Sequence, residues 1–397
     1  MTPPTGTASP RPHEPRRHRR ALAATATVAA LALAGCSSSS SGANDDASST
    51  KGGLTPVRLQ LQWVADAQFA GYYAALKLGY YKDAGLDVTI QEAGTDTVPI
   101  DVLAAGDADY AISWVPKVLG SIEQGTAVTD VAQIFERSGT TQISFKDKGI
   151  TTPADLKGKK VGSWGYGNQW ELFAGMQKAG IDTDKDIDLV QQAFDMNGFL
   201  SGDIDAAQAM TYNELAQVLE TKNPKTGKLY QKSDLNIIDW NDEGTAMLQD
   251  AIWADANKLA DDPSYATETE KFVEASIKGW VYVRDHPKEA ADIVTAAGST
   301  LGTSHQLWMA NEVNKLIWPS TSGGIGTIDP AAWKRTVDIA LHTKDDTGST
   351  IITKEPPSTA YSNEYVTKAL KNLEAQGVDV VGKDFTPIDV ELKEGGK

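Results

Sequence analysis

The chain of 397 residues holds a single cysteine, Cys36, so it can form no internal disulfide and build no thiolate metal cluster. Histidine is scarce too, with five in all. The three beyond the N-terminal region, His286, His305 and His342, stand far apart and show no metal-ligand spacing. There is no Gly-x-Ser-x-Gly and no His-Glu-x-x-His. The carboxylates are scattered, so no acid–base pair stands out. Basic residues are outnumbered, 37 Lys and Arg against 53 Asp and Glu, for a net charge of −16. Five Arg and one Glu fall within residues 1–35, which leaves −20 on the remainder. Such a body repels phosphate backbones and anionic headgroups, which excludes a nucleic-acid binder. No hydrophobic run reaches a comfortable bilayer span, and no short-period repeat is present. What is present is ordinary globular material, 41% apolar and 23% charged. Its length suits two domains, or three.

The N-terminus reads as an address. Arg16, Arg17, Arg19 and Arg20 precede an apolar, small-residue stretch from Ala21 to Gly35. A basic start, an apolar middle and a small-residue end make a secretory signal. It closes on Leu33-Ala34-Gly35-Cys36, which looks like a bacterial lipobox, with Cys36 as the lipidated first residue of the mature chain. The paired Arg also admit twin-arginine export, but the flanking context favours the general route. Residues 36–53 then form a Ser/Gly-rich flexible tether of roughly 20–25 Å average reach.

From residue 54 the pattern alternates between periods of two and 3.6. Val57, Leu59, Leu61 and Trp63 alternate with polar residues as a strand, and Phe69, Tyr72, Tyr73, Leu76 and Tyr80 share a helical face. Further strands are expected at 86–90, 110–114, 128–135, 160–163, 189–194, 206–210 and 236–240, with helices between them. This alternation indicates parallel βαβ units. After about Gln249 amphipathic helices dominate, with Val273, Ile277, Trp280, Val281 and Arg284 on one face. Leu307, Ala310, Val313 and Ile317 make another, opened by a Thr303/Gln306 capping box. Two α/β lobes are expected, with the chain crossing between them near 142–150 and 241–250. The expected divisions are 1–35, 36–53, 54–145 (first lobe), 146–245 (second lobe) and 246–397, the last returning to the first lobe and adding helices. Ligands of open α/β sheets bind beyond the carboxyl ends of the strands, so the cleft between the lobes is the expected site, and a hinge could close it.

Three strand-to-helix loops point there. Residues 61–75 place Trp63, Gln68, Phe69 and Tyr72 near the cleft, either as pocket or as core aromatics. Gly162-Ser163-Trp164-Gly165-Tyr166-Gly167-Asn168-Gln169 is the matching loop of the second lobe. Trp164, Tyr166 and Asn168 are its candidates, and a plain tight turn is the alternative. Met210-Thr211-Tyr212-Asn213-Glu214 supplies a ring at Tyr212 and a carboxylate at Glu214, able to pair with an amino-substituted ring, or else a helix cap built on Asn213. Trp114, following a strand, is a further pocket candidate.

In combination these segments resemble the NMT1/THI5-like (SsuA/THI5-like) solute-binding proteins. The carrying residues are Gln62-Trp63, 68–73, Gly79-Tyr80-Tyr81-Lys82-Asp83-Ala84-Gly85-Leu86-Asp87-Val88, 106–111, 155–162 and Tyr212-Asn213-Glu214, spanning roughly 57–290. The resemblance implies a type II periplasmic-binding fold, a monomer, and delivery of a small molecule to an ABC permease. It places the protein on the extracytoplasmic face of the cell membrane, held there through the lipid anchor alone. It implies a thiamine pyrimidine precursor as ligand, with riboflavin, sulfonate or nitrate as alternatives, and no cofactor or metal. Eukaryotic relatives are synthases of the thiamine pyrimidine. Where these carry the pyridoxal lysine this chain has Ser113, where they carry the consumed histidine it has Lys117, and their cysteine-rich run is matched by residues 245–250 without cysteine. An enzyme is therefore not expected, since fold alone does not transfer activity. Trp63 and Tyr212 are expected to stack on the ligand, Glu214 to hold its amino edge, and 164–169 to complete the closed site.

Overall fold

The computed structural model describes residues 53–397. The signal, the lipobox Cys36 and the tether up to residue 52 lie outside the described residues.

Among the described residues ten strands form two five-stranded sheets. The first has the order β2 (Leu86–Gln91), β1 (Thr55–Gln60), β3 (Tyr110–Trp114), β10 (Asp250–Asp255), β4 (Val128–Gln133). The second has the order β7 (Asp188–Gln191), β6 (Lys160–Ser163), β8 (Ala206–Met210), β5 (Thr140–Phe145), β9 (Leu235–Asp239). In each sheet the strand next to one edge runs antiparallel to its neighbours: β10 against β3 and β4, and β5 against β8 and β9. These two strands are the first that the chain makes after changing lobes. The crossovers are therefore residues 134–139 and 240–249.

The first crossover comes earlier than the expected 142–150, because β5 went unread as a strand. Its sequence, Thr-Thr-Gln-Ile-Ser-Phe, is polar yet buried. The side-chain donors reach backbone carbonyls: Thr141 Oγ1 donates to Ala209, Gln142 Nε2 to Gly162 and Ala206, and Ser144 Oγ to Ile150, while Gln142 Oε1 is buried without a partner. Such pairing removes most of the cost of burying polar groups and erases the hydropathy signal. β10 was also missed, because its short apolar run lies inside a stretch expected to be helical. β1 and β7 stop at Gln60 and Gln191, so Trp63 and Phe194 sit in loops rather than in strands.

The first lobe is completed by the long helix Pro263–Asp285, which packs on the helix Ala70–Leu78. Two glycines allow the approach. A Cβ on Gly279 would overlap the carbonyl of Gly71, and one on Gly71 would overlap the Trp280 indole. Val273, Ile277 and Trp280 are buried on the expected face.

The expected capping box at Thr303 is absent. The helix Thr303–Ile317 starts after Gly302 with no side-chain cap, and Gln306 Oε1 instead accepts the N–H of Ala67. The same helix reaches the other lobe, where Trp308 Nε1 donates to the Thr211 carbonyl and His305 contacts Glu220 and Asn213. The C-terminal tail then passes to the second lobe, a passage beyond the two crossovers expected. Val390 and Leu392 pack on that lobe's core, and Gly395 N–H donates to the Glu220 carbonyl.

Candidate functional site

Because β10 is antiparallel, its first residue lies at the carboxyl ends of β1 and β3, with Asp250 opposite Trp114. Asp250 is 2% exposed. Three side chains donate to it: Gln62 Nε2 at 2.6 Å and Trp114 Nε1 at 2.6 Å to Oδ1, and Gln68 Nε2 at 2.9 Å to Oδ2 and 3.2 Å to Oδ1. Burial pushes its carboxyl up to about 7, against the pull of these donors and of the Lys117 ammonium. Lys117 Nζ stands 4.8 Å from the centre of the Trp114 ring. Burial lowers this ammonium to about 8, with Asp250 acting in the opposite sense. The floor of the cleft thus carries a carboxylate and an ammonium that feel each other's charge, both displaced toward neutrality.

Other acids face the same region. Asp66 is buried and held well above the usual carboxylate range by burial, reinforced by the charges of Asp250, Glu214 and Glu92. Its Oδ1 accepts the Gln68 N–H and so caps the turn that aims Gln68 at Asp250. Glu214 is raised to about 7, also by burial. Tyr212 is buried with Asp250, Asp66 and Glu214 charges around its hydroxyl, which burial and those charges hold protonated. The Tyr72 hydroxyl is buried close enough to feel Asp250, with the Trp280 indole N–H facing it.

The walls are aromatic and come from both lobes. Trp63 meets Phe194 with ring centres 5.2 Å apart and planes at 46°. Trp164 lies nearly parallel to Phe194, with ring centres 6.3 Å apart and planes at 15°. Trp164 is 2% exposed with its Nε1 unpartnered, whereas Phe194 is 40% exposed. A flat ring meeting these faces gains stacking beyond area burial, about 0.5–1.5 kcal/mol per aromatic pair.

The candidates from sequence therefore divide. The structure gathers Trp63, Gln68, Tyr72, Trp114, Trp164 and Tyr212 around Asp250 and the facing loop. Phe69 is fully buried in the first lobe's core, because the turn 67–69 points its ring inward. Tyr166 is 78% exposed, carried outward by three successive left-handed residues, Gly165, Tyr166 and Gly167. Asn168 closes that loop through Nδ2 to the Gly165 carbonyl at 2.8 Å. Asn213 does not cap the next helix. Its Nδ2 donates to Glu214 and its Oδ1 faces His305 and Gln217. The Glu214 carboxylate accepts the Met210 N–H and the Asn213 amide, so it braces the β8 turn.

Four residues of the site were not among the candidate ligand contacts: Gln62, Lys117, Phe194 and Asp250. For Asp250 the usable signal was a buried apolar stretch, Ala-Ile-Trp-Ala, opened by a charge directly after a crossover. Among the described residues no group of three or more His, Cys, Asp or Glu is placed to hold a metal. Ser113 is a strand residue whose carbonyl accepts Trp253 Nε1, and Lys117 is the cleft ammonium just described.

Comparison with known proteins bears on the family and the fold. The formylaminopyrimidine-binding protein of Halalkalibacterium halodurans is 25% identical over 258 residues, 64% of this chain and 72% of that protein. The 4-amino-5-hydroxymethyl-2-methylpyrimidine phosphate synthase of Aspergillus parasiticus is 24% identical over 246 residues, 61% of this chain and 70% of the enzyme. Among solved structures, the periplasmic sulfonate-binding protein SsuA of Methylobacillus flagellatus superposes with a TM-score of 0.58 at 18% identity, covering 86% of this chain and 99% of its own. That likeness fixes the fold as the type II periplasmic-binding arrangement. The family profile described as NMT1/THI5 like matches residues 66–290, more than half of the sequence, and the chain belongs to that family.

Proposed function

We propose that the protein is the extracytoplasmic solute-binding component of an ABC importer and captures an aminopyrimidine precursor of thiamine without altering it. The observation that carries this reading is the Asp250 carboxylate. It is buried at the cleft floor and fixed by Gln62, Gln68 and Trp114, and its Oδ2 accepts only from Gln68, so it has capacity to spare. An exocyclic amino group donating to Oδ2 would gain a charge-assisted bond in a site closed to water. Asp250 thereby takes the role that sequence reasoning gave to Glu214.

The rings of Trp63, Phe194 and Trp164 would lie against the pyrimidine from both lobes, so lobe closure and ligand stacking are one event. Relatives of both kinds support a pyrimidine, since one binds a formylaminopyrimidine and another makes a pyrimidine phosphate. The synthase reading is disfavoured by Ser113 and Lys117. Export, lipidation at Cys36, monomeric state and partnership with a permease belong to the same proposal. They rest on the N-terminal sequence and on the fold.

Tryptophan fluorescence tests the ligand directly. The aminopyrimidine 4-amino-5-hydroxymethyl-2-methylpyrimidine, riboflavin, taurine and nitrate are titrated in parallel. Saturable quenching by the pyrimidine alone, weakened at least tenfold in Trp63→Ala, is expected. A Trp63→Ala protein that binds the pyrimidine as tightly as wild type would remove the stacking role.

A further inference from the structure

The lobes also meet away from the two crossovers, and this joint is polar and buried. The helix Thr303–Ile317 belongs to the first lobe, where Ala310, Val313 and Leu316 sit in the core. From its first turn His305 reaches the second lobe, at the helix Glu214–Leu219 and the residue Glu220 that ends it. His305 is 1% exposed and Glu220 6%. Ring Nδ1 lies 3.0 Å from Glu220 Oε1 and 3.1 Å from Oε2, and Nε2 lies 3.1 Å from Asn213 Oδ1. The tail closes over this pair. Lys393 N–H donates to Ser304 Oγ on the first lobe's helix, and Gly395 N–H to the Glu220 carbonyl on the second lobe. A Cβ built on Gly396 would lie 3.0 Å from His305 Cβ and 3.1 Å from Glu220 Oε2.

The partners fix the charge on the ring. Asn213 Nδ2 donates to the Glu214 carboxylate at 3.1 Å, which turns its Oδ1 toward His305, and Gln217 Nε2 donates to the same oxygen. An amide oxygen and a carboxylate only accept, so both ring nitrogens must donate. The imidazole is therefore positive, and it faces Glu220 in a buried place. Other charges are few around it. Glu214 feels the His305 charge across Asn213. In the tail, Glu394 pairs with Lys222 at 2.6 Å, both more than half exposed. On its own helix the nearest charge is Glu312, engaged by Lys315. The turn Ala67–Phe69 offers no charged side chain, and the helix Pro287–Ala296 buries Ala290, Ala291 and Val294. The helix Pro263–Asp285 meets Thr303–Ile317 near its far end, where Asn314 donates to the Val283 carbonyl. Removing one partner of a buried ion pair leaves the other charge uncompensated, and that costs far more than the intact pair contributes.

We propose that His305 and Glu220, sealed by residues 393–396, form a proton-dependent clasp that holds the two lobes together while the ring is charged and lets them part when it is neutral. The inference goes beyond the ligand reading, since it rests on the two-lobed fold and needs no particular ligand. Separation of the lobes pulls the pair apart, and loss of the ring proton removes the attraction, so the two events are linked. The chain Glu214–Asn213–His305–Glu220 carries this linkage to the cleft. An ionised Glu214 holds Asn213 in the orientation that the charged ring needs, so the cleft acid and the clasp reinforce each other.

The test uses the whole mature protein without ligand. Beyond the N-terminal region the chain keeps three histidines, His286, His305 and His342, so long-range 1H–15N spectra resolve their rings, and His305→Gln identifies the signal. At about pH 6 both ring nitrogens of His305 should bear protons. Small-angle X-ray scattering then reads lobe separation at about pH 6 and about pH 9. Wild type should be compact at the lower pH and show a larger radius of gyration at the higher. His305→Gln and Glu220→Gln should match the larger value at both. The Gly395 amide should exchange about tenfold faster in Glu220→Gln than in wild type at the lower pH. Circular dichroism and melting identify a variant that fails to fold, and the wild-type spectra and scattering then decide alone. A His305 ring with a single proton at the lower pH overturns the charged pair and the clasp with it. Equal compactness of wild type at both pH values refutes the clasp. A pH response that persists in folded His305→Gln assigns the opening to other buried acids and refutes the role given to this histidine. None of these readouts involves the pyrimidine, so failure of the ligand reading shows only in the fluorescence titrations and leaves the clasp standing.

Discussion

Replacing Asp250 by Asn probes the cleft floor with little change of shape. Asp250 receives Gln62 Nε2, Gln68 Nε2 and Trp114 Nε1, the shortest of these contacts at 2.6 Å. An asparagine offers one carbonyl oxygen and an NH2 group, so at least one of the three donors must face another donor. A buried donor left unpaired costs about 1–3 kcal/mol. Part of this is returned at pH 8, because the substitution also removes a buried charge whose pKa burial has raised to about 7. The net change in stability at pH 8 should therefore be small, within about 1–2 kcal/mol. Binding has no such offset. Loss of one charge-assisted bond to the ligand's amino group is worth about 1.5–3 kcal/mol, or about 10- to 150-fold in Kd. The assay is tryptophan quenching by the aminopyrimidine at pH 8, paired with thermal melts to certify folding. A folded Asp250→Asn protein that binds within twofold of wild type would refute the argument that this carboxylate holds the amino edge.

Further expectations follow from the packing and the charges. Asp250 and Glu214 are raised to about 7 and Glu171 to about 8, each first by burial, so the folded state holds protons that the unfolded chain releases. Stability from these groups is full below about pH 4 and is lost as pH climbs through 7 to 8. The ligand-free protein should then melt several degrees higher at pH 5.5 than at pH 8.5, and Glu171→Gln should flatten that slope. A lower melting point at pH 5.5 would contradict the assignment. Gly279→Ala drives a methyl into the Gly71 carbonyl and should cost about 1–3 kcal/mol, read as a fall in Tm. Gly94→Ala, where a Cβ meets open space, should change Tm little. Removal of residues 389–397 strips Val390 and Leu392 from the second lobe and should lower the melting temperature, with increased proteolysis near the uncovered helix Glu214–Leu219 as the check.

Much of the architecture was legible because apolar residues alternate with polar ones in β1 and run nearly unbroken through β3 and β8. β5 and β10 were illegible for different reasons. The Thr, Gln and Ser side chains of β5 are buried on tertiary partners that no local window contains, and the short apolar run of β10 has no period that separates a buried strand from a helix. The site followed the same rule. Trp63, Gln68 and Trp114 were found because they stand next to strand ends, whereas Asp250 depends on an antiparallel insertion that brings a residue 136 positions away against Trp114. Phe69 and Tyr166 look alike in sequence as aromatics flanking a loop. One is fully buried and the other 78% exposed, because a 3-10 turn directs the first inward and left-handed backbone directs the second outward. Residue type at a loop tells which chemistry is available, and backbone geometry decides whether the cleft receives it.

The account as a whole turns on capture without conversion. Equilibrium dialysis of the mature protein with the aminopyrimidine, followed by denaturation and mass spectrometry of the released ligand, measures both halves at once. One equivalent bound per chain and recovered unaltered is the predicted result. Absence of saturable binding, or recovery of a chemically changed product, would contradict it.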